Sequence, residues 1–147
     1  MPIKDDVVIG KRSKIWHPEL VNIYGCTIGN NTTIGAFCEI RGDVVIGDNC
    51  RLQAFVFIPE GVVIGNNVFI GPHVCFTNDK YPSVEGDWER LSTIIKDNVS
   101  IGAAAVICPG IVIESGAVIG AGSVVTKNVQ KNTVIMGNPA RITRKDE

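Results

Sequence analysis

Two stretches of the chain carry side chains able to hold and deprotonate a small nucleophile. Phe76-Thr77-Asn78-Asp79-Lys80-Tyr81-Pro82-Ser83 presents an amide, a carboxylate, an ammonium and a phenol in succession, and Phe57-Ile58-Pro59-Glu60-Gly61 places a second carboxylate eighteen residues before Asn78. A carboxylate can take a proton from an acceptor group, and an amide beside it can orient that group, because it both donates and accepts hydrogen bonds. Other reactive groups are sparse. There are two histidines, His17 and His73, and five cysteines with no CxxC pair. Two histidines cannot make a three-histidine zinc site, so no metal is expected. Cys26, Cys38 and Cys50, each followed two residues later by Ile or Leu, read as small buried hydrophobes in a reducing compartment.

The elements that must position these groups follow from a fixed period of six. Apolar residues stand at Ile3, Ile9, Ile15 and Val21, then after a one-residue slip from Ile28 through Ile46 and Ile64 to Phe76, and again from Ile95 to Val125. The residue two places before most of them is small or β-branched, as at Thr32, Val44, Val62, Val68, Val99, Ala105 and Ala117, and Gly often follows. Amphipathic helices need spacings of three and four, and hairpins alternate by two. Hexads instead predict an all-β parallel β-helix of about six triangular coils, in which Ile28, Ile46 and Ile64 stack about 4.8 Å apart. Gly and Asn at the corners relieve turns that need positive φ.

The period fails between Phe76 and Ile95, where a segment with Pro82, Gly86, Tyr81 and Trp88 leaves the scaffold as a loop near 78–94. Residues eighteen apart share a corner, so Glu60 stacks on Asn78, Gly61 lies beneath Asp79, and Arg41 lies one coil further back. After the loop, IGAAAV and IGAGSV align Gly102, Ala103 and Ala104 with Gly120 and Ala121, a smooth groove in which an extended chain could lie. His73 falls in one column with Phe37 and Phe55, a packing position that could also offer a base.

FTNDKYP preceded by IPEG, within hexads that cover nearly the whole chain, resembles the hexapeptide-repeat acyltransferases, most closely the N-acetyltransferases of nucleotide-linked 3-amino sugars, of the UDP-2-acetamido-3-amino-2,3-dideoxyglucuronate or dTDP-3-amino-3,6-dideoxyhexose type. The resemblance implies a left-handed β-helix, acetyl-CoA as donor and an acceptor site lined by Glu60, Asn78 and Asp79. It implies a homotrimer with sites between subunits, a role in surface polysaccharide biosynthesis, and an ending GNPARI whose Pro139 and Arg141 meet the CoA nucleotide. Lys80, Tyr81, Arg90, Arg41 and His73 are then candidate substrate contacts, and Lys127, Lys131, Arg144 and Lys145 candidate phosphate contacts. A neutral amine is already nucleophilic, so the enzyme chiefly positions it; the hypothesis gives Glu60 and Asp79 the amine and its proton, Asn78 the pyranose, and a backbone N–H near Ala103 or Ala104 the oxyanion. Two other readings stay open: O-acetylation of a sugar or small alcohol with His73 as base, and a non-catalytic β-helical scaffold. A γ-class carbonic anhydrase shares the fold but needs an HxxxxH stretch, absent here.

Composition bounds the partners. The 147 residues make one domain, 1–147, with a C-terminal tail over 137–147; 45% are hydrophobic, 20% are charged, and the net charge is -1. That balance gives no field for nucleic acid or a membrane surface. No signal peptide and no run of eighteen apolar residues is seen, so a cytoplasmic location is expected.

Overall fold

A computed structural model describes residues 1–145. The chain winds a left-handed parallel β-helix of about seven turns. Each hexad contributes a strand of two or three residues, and successive strands fall on three faces in rotation. The first face stacks Val8–Ile9, Thr27–Ile28, Val45–Ile46, Val62–Ile64, Thr93–Ile95 and Val112–Ile113. The second begins with Lys14–Ile15 and ends with Val118–Ile119, Thr133–Gly137 and Ala140–Lys145; the third runs from Asn22–Ile23 through Glu39–Ile40, Phe57–Ile58, Cys75–Phe76 and Val106–Ile107 to Val124–Val125.

The period dictates the register. Ile28 pairs with Ile46, Ile46 with Ile64, Ile64 with Ile95 and Ile95 with Ile113, so one inward column runs the length of the first face. These side chains are buried, as are their counterparts Ile34, Leu52 and Ile70 and the third-face residues Ile40, Ile58 and Phe76. A prism this thin has no separate hydrophobic layer; its core is the stack itself, each residue covered by the coils on either side. Thr32, Cys26, Cys38 and Cys50 are buried at the corners, in the slot that Val44, Val62 and Val68 fill in other hexads. The Thr32 hydroxyl donates to Gly47 O at 2.9 Å and accepts from Cys50 N at 3.1 Å, and the Cys50 thiol donates to Gly65 O at 3.1 Å. Between the first and second faces, Asn30, Asp48, Asn66 and Asp97 each accept a backbone N–H of the preceding coil at 2.8 Å.

The loop over 77–92 leaves the prism without disturbing this register. Val63 pairs with Val45, eighteen residues away, and with Ile94, thirty-one away; the loop thus adds thirteen residues to one coil. At the C-terminus, Thr133–Gly137 and Ala140–Lys145 form an antiparallel hairpin on the second face. Among the described residues, no helix is long and apolar enough to cross a membrane.

Candidate active site

The prism has three edges, and the sequence-predicted residues fall on two of them. The edge between the third and first faces carries Arg41, Glu60 and the loop; that between the second and third carries His73, Gly102, Ala103, Ala104, Gly120 and Ala121. The third face, a strand and its flanking turns, separates the two edges by on the order of 15 Å.

On the first of these edges the stacking brings Glu60 and Asn78 together. The Asn78 side-chain amide donates to the Glu60 main-chain carbonyl at 3.2 Å, the Asn78 main-chain carbonyl accepts the Leu91 N–H at 3.1 Å, and the two bonds pin both ends of the loop. Asp79 follows directly, half-buried, with Oδ1 accepting the Tyr81 N–H at 3.2 Å, an Asx turn that bends the loop away from the prism. Lys80 sits 5.6 Å from the Tyr81 ring, and a cavity of about 290 Å³ opens between Asp79, Tyr81, Trp88 and Leu91. Arg90 lies at the returning end. It crosses Gly61 and pairs with Asp43 at 3.2 Å, so its guanidinium faces the scaffold rather than the cavity.

Arg41 is more committed than its sequence position suggests. Its Nη1 lies 3.3 Å from Glu60 Oε1, and its Nε lies 2.7 Å from Glu39 Oε2. Glu39 was not anticipated, although residues two apart on a strand point to the same side and the Glu39-Ile40-Arg41 spacing carried that signal. Burial pushes the Glu39 carboxyl up, but hydrogen bonds from Arg41 and Asn22 outweigh it and hold it below the ordinary carboxylate range.

The other edge is smooth where the groove was expected. A Cβ on Gly102 would lie 2.5 Å from Ala121 N, so a glycine is required there by the close approach of successive coils, whatever the groove holds. Gly122 N donates to Ala103 O at 2.8 Å, and Gly137 N to the Ser123 hydroxyl at 3.3 Å, which carries the same edge up to Pro139. Ala104 N donates to Pro72 O at 2.9 Å and is therefore spoken for; among the described residues Ala103 N has no backbone acceptor. Arg141 lines an end cavity of about 390 Å³ with Lys127, Gln130 and Ala140. Lower on this edge, Phe37, Phe55 and His73 stack at 4.9 and 4.6 Å, each with φ near 60°. His17 lies in the first coils, 3.5 Å from Glu19. No group of three or more metal-ligating side chains occurs among the described residues.

Residues 25–60, 45–78 and 92–127 match the family described as bacterial transferase hexapeptide (six repeats), more than half of the chain. The protein belongs to that family. Among its relatives, a galactoside O-acetyltransferase of Lactococcus lactis is 35% identical over 89 residues, 53% of this chain and 43% of the relative. A chloramphenicol acetyltransferase of Agrobacterium fabrum is 47% identical over 53 residues, 36% of this chain and 25% of the relative. The chain thus spans less than half the length of the curated relatives it matches. Among solved structures, a point mutant of AntD, an N-acyltransferase from Bacillus cereus, in complex with dTDP-4-amino-4,6-dideoxyglucose and Coenzyme A, superposes with a TM-score of 0.75 at 24% identity, over 99% of this chain and 83% of that one. A maltose O-acetyltransferase from Clostridium difficile 630 superposes with a TM-score of 0.58 at 28% identity, over 96% and 67%.

Proposed function

We propose that the protein transfers an acetyl group from acetyl-CoA to the amino group of a nucleotide-linked amino sugar, in the first instance a 3-amino sugar. The observation that carries this reading is the acceptor edge, where Asn78 bonds to Glu60 and Asp79 follows at the loop mouth. Such a site suits an amine, which needs a proton removed from its ammonium form but no strong base to become nucleophilic. Glu60 or Asp79 takes that proton. The nitrogen lone pair attacks the thioester carbonyl, and Ala103 N–H meets the oxyanion. The C–S bond then breaks, the C–N bond remains, and the departing thiolate takes the second nitrogen proton, leaving an amide and the CoA thiol.

The donor lies along the other edge, with pantetheine over Gly102, Ala103, Gly120 and Ala121 and the nucleotide near Pro139 and Arg141. Because the third face separates the two edges within one chain, a complete site takes its donor edge from a second copy, and a closed ring of three gives three equivalent sites. The exposed rings of Phe37 and Phe55 offer apolar surface for that association.

A thiol-release assay with acetyl-CoA against UDP- and dTDP-linked 3-amino sugars, with matching hydroxyl sugars as controls, tests the reading. Turnover confined to amines is expected, and Asp79→Asn should lower kcat by about 100-fold or more while leaving the fold intact. A second reading has one observation behind it: His73 is exposed on the donor edge, its imidazole fixed against Phe55. Turnover with hydroxyl sugars that is lost in His73→Asn would establish O-acetylation instead.

A further inference from the structure

Four polar side chains step along the third face toward the loop. Asn22 Nδ2 donates to Glu39 Oε1 at 3.1 Å, Arg41 Nε donates to Glu39 Oε2 at 2.7 Å, and Arg41 Nη1 donates to Glu60 Oε1 at 3.3 Å. The Phe57 ring lies 5.1 Å from the guanidinium carbon and closes a third side of Arg41. Both Glu39 oxygens are therefore engaged, and Arg41 bridges two carboxylates with different nitrogens. A planar guanidinium with a fixed fork can do this; a lysine ammonium is a point charge without it.

We propose that Glu39 and Arg41 are positioning residues for Glu60: Glu39 anchors the guanidinium, and Arg41 holds the Glu60 carboxylate in one orientation beside Asn78 for the acceptor amine. The proposal rests on the amino-sugar reading for what Glu60 does, but not for the coupling itself. Three observations separate it from an ordinary surface ion pair. Arg41 has two charged partners rather than one, all three side chains are more than half-buried, and the end of the network is the residue stacked on Asn78. Its charge also suits the task. Around Glu60 stand Arg41 and Glu39 on the third face, Arg90 and Asp43 across Gly61, and Asp79 at the loop mouth. Four carboxylates stand against two guanidinium groups and the Lys80 ammonium beside Asp79, an excess of negative charge that favours an incoming ammonium.

The experiment reads the Glu60 side-chain rotamer from its NMR couplings, which needs no substrate, alongside kcat and the KM for acetyl-CoA. Wild-type Glu60 should hold one rotamer, and Arg41→Gln, which removes its partner, should average that rotamer and lower kcat about 10-fold or more. Arg41→Lys keeps the charge and loses the fork, so kcat should fall about 5- to 10-fold. Glu39→Gln should lower kcat by a similar factor, and in all three variants the KM for acetyl-CoA should change less than about twofold. A Glu60 rotamer unchanged in Arg41→Gln overturns the proposal, as does wild-type kcat in both Arg41→Lys and Glu39→Gln. If the wild type acetylates no amine, the amino-sugar reading falls, and the rotamer alone still decides whether Arg41 orients Glu60.

Discussion

Replacing Gly61 with alanine should loosen the loop from the prism. Gly61 has φ of 88°, and a Cβ built on it lies 3.2 Å from Arg90 Nε and 3.4 Å from Arg90 Cδ, where that side chain crosses to Asp43. Holding alanine in a left-handed conformation costs about 1–2 kcal/mol. Displacing Arg90 forfeits an ion pair whose side chains are 43% and 76% exposed, which adds only about 0.2–1 kcal/mol. The total, about 2 kcal/mol, corresponds to a Tm lowered by roughly 4–8 °C for a domain of this size. Thermal unfolding at fixed protein concentration measures it, because any association would otherwise shift the midpoint. Trypsin supplies the second readout, since Lys80 and Arg90 both lie in the loop and cleavage there should accelerate. Arg90→Gln alone should cost less than about 1 kcal/mol yet speed cleavage after Lys80 as much. In the Arg90→Gln background Gly61→Ala should cost less than in the wild type, because one of its two terms has gone. Strictly additive effects, or a destabilised Gly61→Ala with wild-type loop cleavage, would refute the view that this crossing holds the loop.

Three further outcomes follow from the same geometry. Ile64→Ala removes a buried side chain stacked between Ile46 and Ile95, and denaturant unfolding should show a loss of about 3–5 kcal/mol, since a column fixed on both sides cannot collapse into the void. Thiol labelling at pH 8 should reach Cys108 first and Cys75 more slowly, where burial pushes the thiol up, and spare Cys26, Cys38 and Cys50 until the chain unfolds; burial raises Cys26 to about 11, so its contribution to stability is full below the unfolded thiol range near 9 and is lost as pH rises toward 11, by about 2–3 kcal/mol in denaturant titrations. Arg141→Ala, at the end cavity, should raise the KM for acetyl-CoA about tenfold with kcat nearly unchanged, and an unaltered KM would remove Arg141 from the nucleotide.

The parts of the molecule that obey the period were legible in the sequence, because in a parallel β-helix the period is the register. Ile28, Ile46 and Ile64 could be stacked on paper, and the same step of eighteen placed Glu60 against Asn78. The loop was legible only as a break. Its return path depends on Arg90 reaching Asp43, forty-seven residues away, and no periodic rule links those positions. Glu39 lies off the step of eighteen, which aligns it with Phe57; only the step of two along its own strand links it to Arg41. Gly102 follows a second-face strand, whereas Glu60 and Asn78 follow third-face strands, so the donor column and the acceptor pair belong to different hexads of the coil and hence to different edges. No refolding of a rigid prism can close that gap. If both edges serve one acetyl transfer, the reaction must take place between copies of the chain, and mixing an Asp79→Asn chain with one blocked by bulk at Ala103 should restore activity that neither variant has alone.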